Sequence, residues 1–199
     1  MRDAQDLLAQ ADKALYEGKR RGRNIVCTPD MIVPPPSTAP DEALRLAEVD
    51  IYRRAIQAGR PEGMNRIARL AASLLDAPMA FISLIDAKNV VLVGRHGIDV
   101  ETVPRGEAVS SGTPSADKPL IMTDLEMDGR LLVSNPAQDA SELRFYAGNA
   151  LISPHSSQRL GTLCIVDTKP RPPLDAAQQI LLTDLARLAV EDMERSRVG

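Results

Sequence analysis

Residues 80–93 read Ala80-Phe81-Ile82-Ser83-Leu84-Ile85, then Asp86-Ala87-Lys88-Asn89, then Val90-Val91-Leu92-Val93. The first run is apolar at both alternating sets of positions, which predicts a central strand covered on both faces. Asp86 to Asn89 makes a tight turn, and Val90 to Val93 returns as the hairpin partner. The arrangement recurs downstream, where Phe145 to Ser153 and Leu160 to Asp167 form a second hairpin. In its last strand Leu163 and Ile165 point one way while Cys164 and Val166 point the other. Leu120-Ile121-Met122 adds a further short strand. These segments predict one antiparallel sheet of five or six strands, and the rest of the domain has to cover it.

Helical patterns flank the strands. From about Asp41 to Gln57, Leu46, Val49, Tyr52 and Ile56 share a face. From about Glu62 to Leu75, Met64, Ile67, Ala68, Ala71, Leu74 and Leu75 follow the same period, with Gly59 and Pro61 punctuating the gap. Asp175 caps a last helix, 175–197, whose expected stripe is Leu181, Leu185, Leu188 and Ala189. Helices, hairpin, loops, hairpin, helix: the order predicts an α+β domain. The first and last helices cover one face of the sheet. The other falls to residues 98–143, which include a Pro/Gly/Ser-rich loop at 104–119 and a polar segment at 124–142. A sheet face roofed by loops and short helices is a ready place for a ligand cavity.

Upstream, Leu7, Leu8, Ala11 and Leu15 mark a helix over residues 4–18, and Asn24 to Cys27 a short strand. Pro29 to Pro40 contains five prolines in twelve residues, which favours an extended, semi-rigid linker. The organisation is therefore a small element at 1–28, a linker at 29–40, and a domain at 41–199.

Composition excludes several functions. The 199 residues carry a net charge of −3, which offers no global field for nucleic acid. Aromatics are 3% and Trp is absent, so base-stacking platforms are not expected either. No run approaches the roughly 18 apolar residues of a membrane span, and the polar N-terminus has no signal-peptide core. Cys27 and Cys164 are read as reduced thiols of a cytoplasmic protein.

Several strings, in order, resemble the GAF family of signalling modules. Phe81-Ile82-Ser83-Leu84-Ile85-Asp86 matches its first strand and turn, and Val93-Gly94-Arg95-His96-Gly97 its second strand. Val103-Pro104-Arg105 resembles the string that opens the pocket helix. Pro119 to Asp124, Asp128-Gly129-Arg130 and Asn135-Pro136 resemble the third strand and the segment after it. Arg144-Phe145-Tyr146-Ala147-Gly148 and Leu160 to Asp167 complete the series. The resemblance implies a GAF-like, PAS-related sheet, with terminal helices on one face and loops and short helices on the other. It also implies a small-molecule ligand, a homodimer through the terminal helices, and an attached output domain. One departure stands out: Gly106 to Ser115 has loop chemistry where one bacterial subgroup carries a short apolar helix.

Leu7 to Tyr16 and Lys19-Arg20-Arg21-Gly22-Arg23-Asn24 resemble the closing helix and turn of a GGDEF domain, the diguanylate cyclase family. The active-site turn of that family is absent, so the resemblance implies a remnant without cyclase activity.

Candidate ligand-binding residues are set by position. Phe81 and Cys164 lie on the central strands, with Tyr146 on a neighbouring one. Ser110, Ser111 and Thr113 offer hydroxyls over the sheet, and Asp124, Arg130 and Arg144 offer charge. Arg130 and Arg144 suit an anionic ligand, or equally ion pairs with Asp124 or Asp128 that pin the roof. Cys164 reads as a small hydrophobe rather than a reactive thiol. His96 and His155 lack metal-ligand spacing, and Ser110-Ser111-Gly112 lacks a nucleophile elbow. Neither a cofactor nor catalysis is expected. A non-catalytic sensor is the leading expectation, with an inactive cyclase fragment and a purely structural dimerisation unit as the alternatives.

Overall fold

The computed structural model describes residues 40–58, 61–105, 108, 118–128 and 143–198. Residues 1–39, and with them the expected N-terminal helix and strand and nearly all of the linker, lie outside the described residues. So do Ser110, Ser111, Thr113 and Arg130.

Two helices, α1 (Pro40–Ala58) and α2 (Pro61–Leu74), precede strands β1 (Met79–Ile85), β2 (Asn89–His96), β3 (Thr102–Pro104) and β4 (Leu120–Met122). A one-turn helix α3 (Leu125–Asp128), strands β5 (Phe145–Ile152) and β6 (Arg159–Asp167), and the long α4 (Ala176–Val198) come next. The described strands form one six-stranded sheet in the order β3-β2-β1-β6-β5-β4, with every pairing antiparallel. The expected α+β architecture is present.

Local chemistry explains the elements. The Asp86 carboxylate accepts the amides of Lys88 and Asn89 at 2.7 and 2.6 Å, an Asx turn that closes the β1–β2 hairpin. Asp175 and Gln178 exchange side-chain and backbone bonds of 2.8 and 3.0 Å, a capping box that starts α4.

The three long helices share one face of the sheet. Val49, Tyr52 and Ile56 of α1, Met64, Ile67, Ala68 and Ala71 of α2, and Leu182, Leu185, Ala189 and Met193 of α4 pack on it. The strands answer with Ala80, Ile82, Leu84, Ala147, Leu151, Leu163 and Ile165. Each fully buried Leu or Ile contributes roughly 1.5–3 kcal/mol over leaving it exposed. Helix α2 lies directly on β2: a Cβ added at Gly94 would stand 2.6 Å from the Met64 carbonyl oxygen.

Two expectations are corrected. The buried stripe of α4 is Leu182, Leu185, Ala186, Ala189 and Met193, while Leu181 is half-buried and Leu188 is 37% exposed. Both stripes fit a helical period, and the contacts with α1 and α2 select the one turned by a residue. Leu74 is 55% exposed because α2 ends there and Ala72 and Leu75 fill the core. Thr102–Pro104 form an edge strand with Val103 opposite Val90, while residues 106 and 107, where Val103-Pro104-Arg105 is expected to open a helix, lie outside the described residues. An edge admits proline, which has no amide to donate.

Polar contacts anchor the helical layer at one end of the sheet. Buried Arg45 donates to the carbonyls of Ile85 and Arg159 and is paired with Glu42, which Arg105 also contacts at 2.8 Å. The hydrogen bond from Arg45 holds the Glu42 carboxyl down at about 2, with Arg105 acting in the same direction. Nearby, the Tyr52 hydroxyl donates to Glu194 of α4, and Ser153 and Ser156 in the β5–β6 turn donate to Glu48 of α1.

Candidate functional site

The sheet face turned away from the helices carries a different set of side chains. Strand register sets Phe81 beside Cys164 and Cys164 beside Gly148, with Tyr146 beside Val166 in the next row. Ser83 and Thr162 face each other one row further along. Tyr146, Cys164, Val166, Met122 and Leu125 form one apolar cluster, and Ile85, Val90, Leu92, Val103 and Ala108 another. Phe81, half-buried, packs against both. The described residues of 98–143 thus cover this face in part, as the sequence predicts.

A buried polar chain crosses the middle. The Tyr146 hydroxyl lies 3.1 Å from the Cys164 sulfur, the Cys164 thiol donates to Thr162 Oγ1 at 3.2 Å, and Thr162 Oγ1 lies 2.9 Å from Ser83 Oγ. Ser83 completes the series by donating to the Thr162 carbonyl at 3.4 Å. One orientation satisfies all four groups: Tyr to Cys, Cys to Thr, Thr to Ser, Ser to backbone. Polar groups at this depth need such partners, since an unpaired one costs about 1–3 kcal/mol. Glycine makes the geometry possible, because a Cβ at Gly148 would collide with the Tyr146 hydroxyl oxygen. The tyrosine ring is therefore folded over Gly148 toward Cys164.

Burial pushes the Cys164 thiol up to about 12, against the smaller downward pull of its bonds to Thr162 and Tyr146. Thiolate chemistry at neutral pH is disfavoured there. Asp124 and Arg144 meet in a two-bond fork of 2.8 and 2.7 Å, and Arg144 also pairs with Glu126 at 3.0 Å. This clamp sits where the chain passes from β4 through α3 into β5, and the Arg144 carbonyl accepts the Leu125 amide alongside it. Of the residues expected at a site, Phe81, Tyr146 and Cys164 are brought together, while Asp124 and Arg144 hold each other at the margin.

Ser83, Thr162, Gly148 and Arg159 also shape this face and were not singled out in the sequence. The signal for the first two is a hydroxyl residue inside an otherwise apolar strand, in step with Phe81 and Cys164. A separate open groove of about 310 Å³ lies between α1 and the β1–β2 turn, lined by Leu46, Val49, Asp50, Arg53 and Asp86. Among the described residues no three His, Cys, Asp or Glu side chains could hold a metal ion, and no helix could cross a membrane. His155 lies 2.9 Å from Glu194 rather than in a ligand set.

A six-stranded antiparallel sheet in this order, with long helices on one face, is the GAF fold. It is similar to the GAF domain of a phosphoenolpyruvate-protein phosphotransferase from Coxiella burnetii, with TM-score 0.59 and 14% identity over 78% of this chain and 96% of that one. The corresponding domain from Acinetobacter gives 0.58 at 12% identity, covering 76% and 95%. The type II free methionine-R-sulfoxide reductase of Thermoplasma acidophilum gives 0.54 at 11% identity, covering 73% and 96%, so the fold is also that of an enzyme. By sequence, the chain is 29% identical over 150 residues to a cyclic di-GMP phosphodiesterase of Pseudomonas aeruginosa. That match takes in 75% of this chain and 25% of the relative, so the chain spans about a quarter of the relative's length. No family model matches the chain.

Proposed function

We propose that residues 41–199 are a non-catalytic sensory module of a cytoplasmic bacterial signalling protein. Its sheet face receives a small molecule, and its terminal helices pass the response to an attached output domain. The observation that carries this reading is the polar chain from Tyr146 to Ser83, set among apolar residues on the face the helices leave. Ligand sites have this character, mostly apolar with a few placed polar groups. The likeness to a quarter of a cyclic di-GMP phosphodiesterase supports a place in cyclic di-GMP signalling, as does the resemblance of residues 1–28 to the end of a GGDEF domain. The raised Cys164 thiol supports a binding role over thiol catalysis.

Homodimerisation through α1 and α4 belongs to the same proposal. Leu44 and Ile51 lie one heptad apart on α1 and are 67% and 49% exposed, and Ile180 on α4 is 63% exposed. A ligand acts on such a pair only by binding two packings unequally. Calorimetric titration against cyclic nucleotides, amino acids and 2-oxoacids, paired with sedimentation equilibrium, tests both parts. Silence across the panel together with a stable monomer overturns the proposal. Silence with a dimer favours the structural dimerisation unit.

A further inference from the structure

The turn between β5 and β6 reaches the last turn of α4 through His155. Within the turn, Ser153 Oγ accepts the amides of His155 and Ser156 at 3.1 and 3.3 Å, and the hydroxyls of Ser153 and Ser156 donate to Glu48 of α1. The turn is thus pinned to α1, and its imidazole extends to α4. His155 Nε2 lies 2.9 Å from Glu194 Oε2 and 2.5 Å from Arg197 Nη2, while those two side chains pair with each other at 3.1 Å. The charged and titratable groups gathered here are Glu48 and Tyr52 of α1 and Glu194 and Arg197 of α4. Tyr52 donates to Glu194, and the Arg197 guanidinium lies 5.8 Å from the centre of the Tyr52 ring. Arg195, exposed, pairs instead with Glu191. The His155 side chain is 50% exposed, so solvent protons reach it.

One nitrogen cannot serve both neighbours. A bare Nε2 accepts a hydrogen bond from Arg197 but opposes its lone pair to the Glu194 carboxylate. A protonated Nε2 donates to Glu194 but faces Arg197 donor to donor and, on the charged ring, cation to cation. Imidazole is the side chain whose charge ordinarily changes between pH 5 and 8. Tyr52 and Glu194 keep one charge state over that interval. Burial pushes the Tyr52 hydroxyl up to about 12, with its bond to Glu194 acting in the same direction. Against burial, which raises Glu194, the bonds from Tyr52 and His155 hold its carboxyl below the ordinary 4.5. We propose that His155 is a proton-operated latch on the end of α4. Neutral, it accepts from Arg197 and ties the final turn of the helix to the β5–β6 turn. Charged, it turns to Glu194 and releases Arg197, so that the tie retreats by one helical turn. The inference goes beyond the sensor reading and stands without it, since it invokes neither a ligand nor a dimer.

The test is ¹H–¹⁵N NMR of the full 199-residue chain between about pH 8 and pH 5, reading backbone order parameters at 195–197 together with the ring shifts of His155. The order parameters should fall from roughly 0.85 toward 0.6 as pH drops, with the same midpoint as the ring. Arg197→Gln should raise that midpoint and Glu194→Gln should lower it, each by roughly half a pH unit, the order expected of one neighbouring charge near a surface. His155→Gln supplies a donor and an acceptor without a charge and should leave 195–197 ordered at every pH. His96→Gln removes the other of the chain's 2 histidines and should leave the response in place. Each variant's own spectrum reports whether it is folded, and if Glu194→Gln is not, the shift in Arg197→Gln carries the test. A His155 ring that titrates while 195–197 keep their order overturns the latch, as does a ring that does not titrate in this interval. The same response in His155→Gln, or a midpoint that the partner variants leave unmoved, also overturns it.

Discussion

The Tyr146 hydroxyl stands 3.1 Å from the sulfur of Cys164, both buried, across a glycine that leaves the ring room to lie flat. Gly148→Ala places a methyl group where that hydroxyl is. The ring has to leave its position, with a loss of about 1–3 kcal/mol for overpacking. Tyr146→Phe removes only the hydroxyl and should cost about 1 kcal/mol. Urea unfolding of both variants measures the difference, and a Gly148→Ala protein as stable as Tyr146→Phe would show that the ring moves freely.

The Cys164 thiol should resist alkylation in the folded protein. Its folded value, about 12, lies above the ordinary 9, so the folded state retains a proton that the unfolded state gives up. Tyr52, buried and bonded to Glu194, is likewise raised from 10 to about 12. The stability linked to both groups is complete below about pH 9 and is lost progressively toward pH 12. Peptide-resolved labelling with iodoacetamide, followed against pH and urea, should find Cys164 modified only as the protein unfolds.

Glu42 gives the opposite dependence. Its folded value of about 2 lies below the ordinary 4.5, so its contribution is complete above pH 4.5 and disappears as pH falls toward 2. Glu42→Gln should cost about 2 kcal/mol at pH 7, since it strips charged hydrogen bonds from Arg45 and Arg105. The variant's melting temperature should also fall less steeply than the wild type's between pH 4.5 and 2. Parallel slopes would remove Glu42 from the account of acid stability.

Gly94→Ala sets a methyl group 2.6 Å from the Met64 carbonyl, which is backbone and cannot swing away. Helix α2 has to lift from β2, with an expected cost of about 1–3 kcal/mol in urea midpoints at unchanged slope.

Leu44→Glu combined with Ile51→Glu should shift the sedimentation coefficient to that of a monomer while leaving the melting temperature within about 2 °C of an equally dilute wild type. The two positions are exposed within one chain, and surface changes usually move stability by less than about 0.5 kcal/mol. A wild type that is already monomeric removes the dimer from the proposed function.

Strands were legible wherever both faces are buried, because β1 and β6 are mostly apolar on both alternating faces. Edge strand β3 was hidden by its proline and its three-residue length. The stripe of α4 was ambiguous because Leu181 and Leu182 are adjacent, and only contact with α1 and α2 selects between them. At the site, Phe81, Tyr146 and Cys164 were readable as members of strands. Ser83 and Thr162 were not, since a hydroxyl in an apolar strand gains meaning only when register supplies its partner. Arg159 lies on the far side of a bulge in β6 that sequence parity does not anticipate.

The capping of one face by α4 has a kinetic consequence. Leu182, Leu185, Ala189 and Met193 complete a core whose other members begin at Val49. A nascent chain that has emitted all six strands but not yet Met193 therefore still shows water the apolar flank of Ala147, Leu151 and Ile165. Such long-range closure slows folding and lengthens the time in which unpaired apolar surface can stick to other chains. During synthesis, this sheet depends on its last helix arriving soon after its last strand.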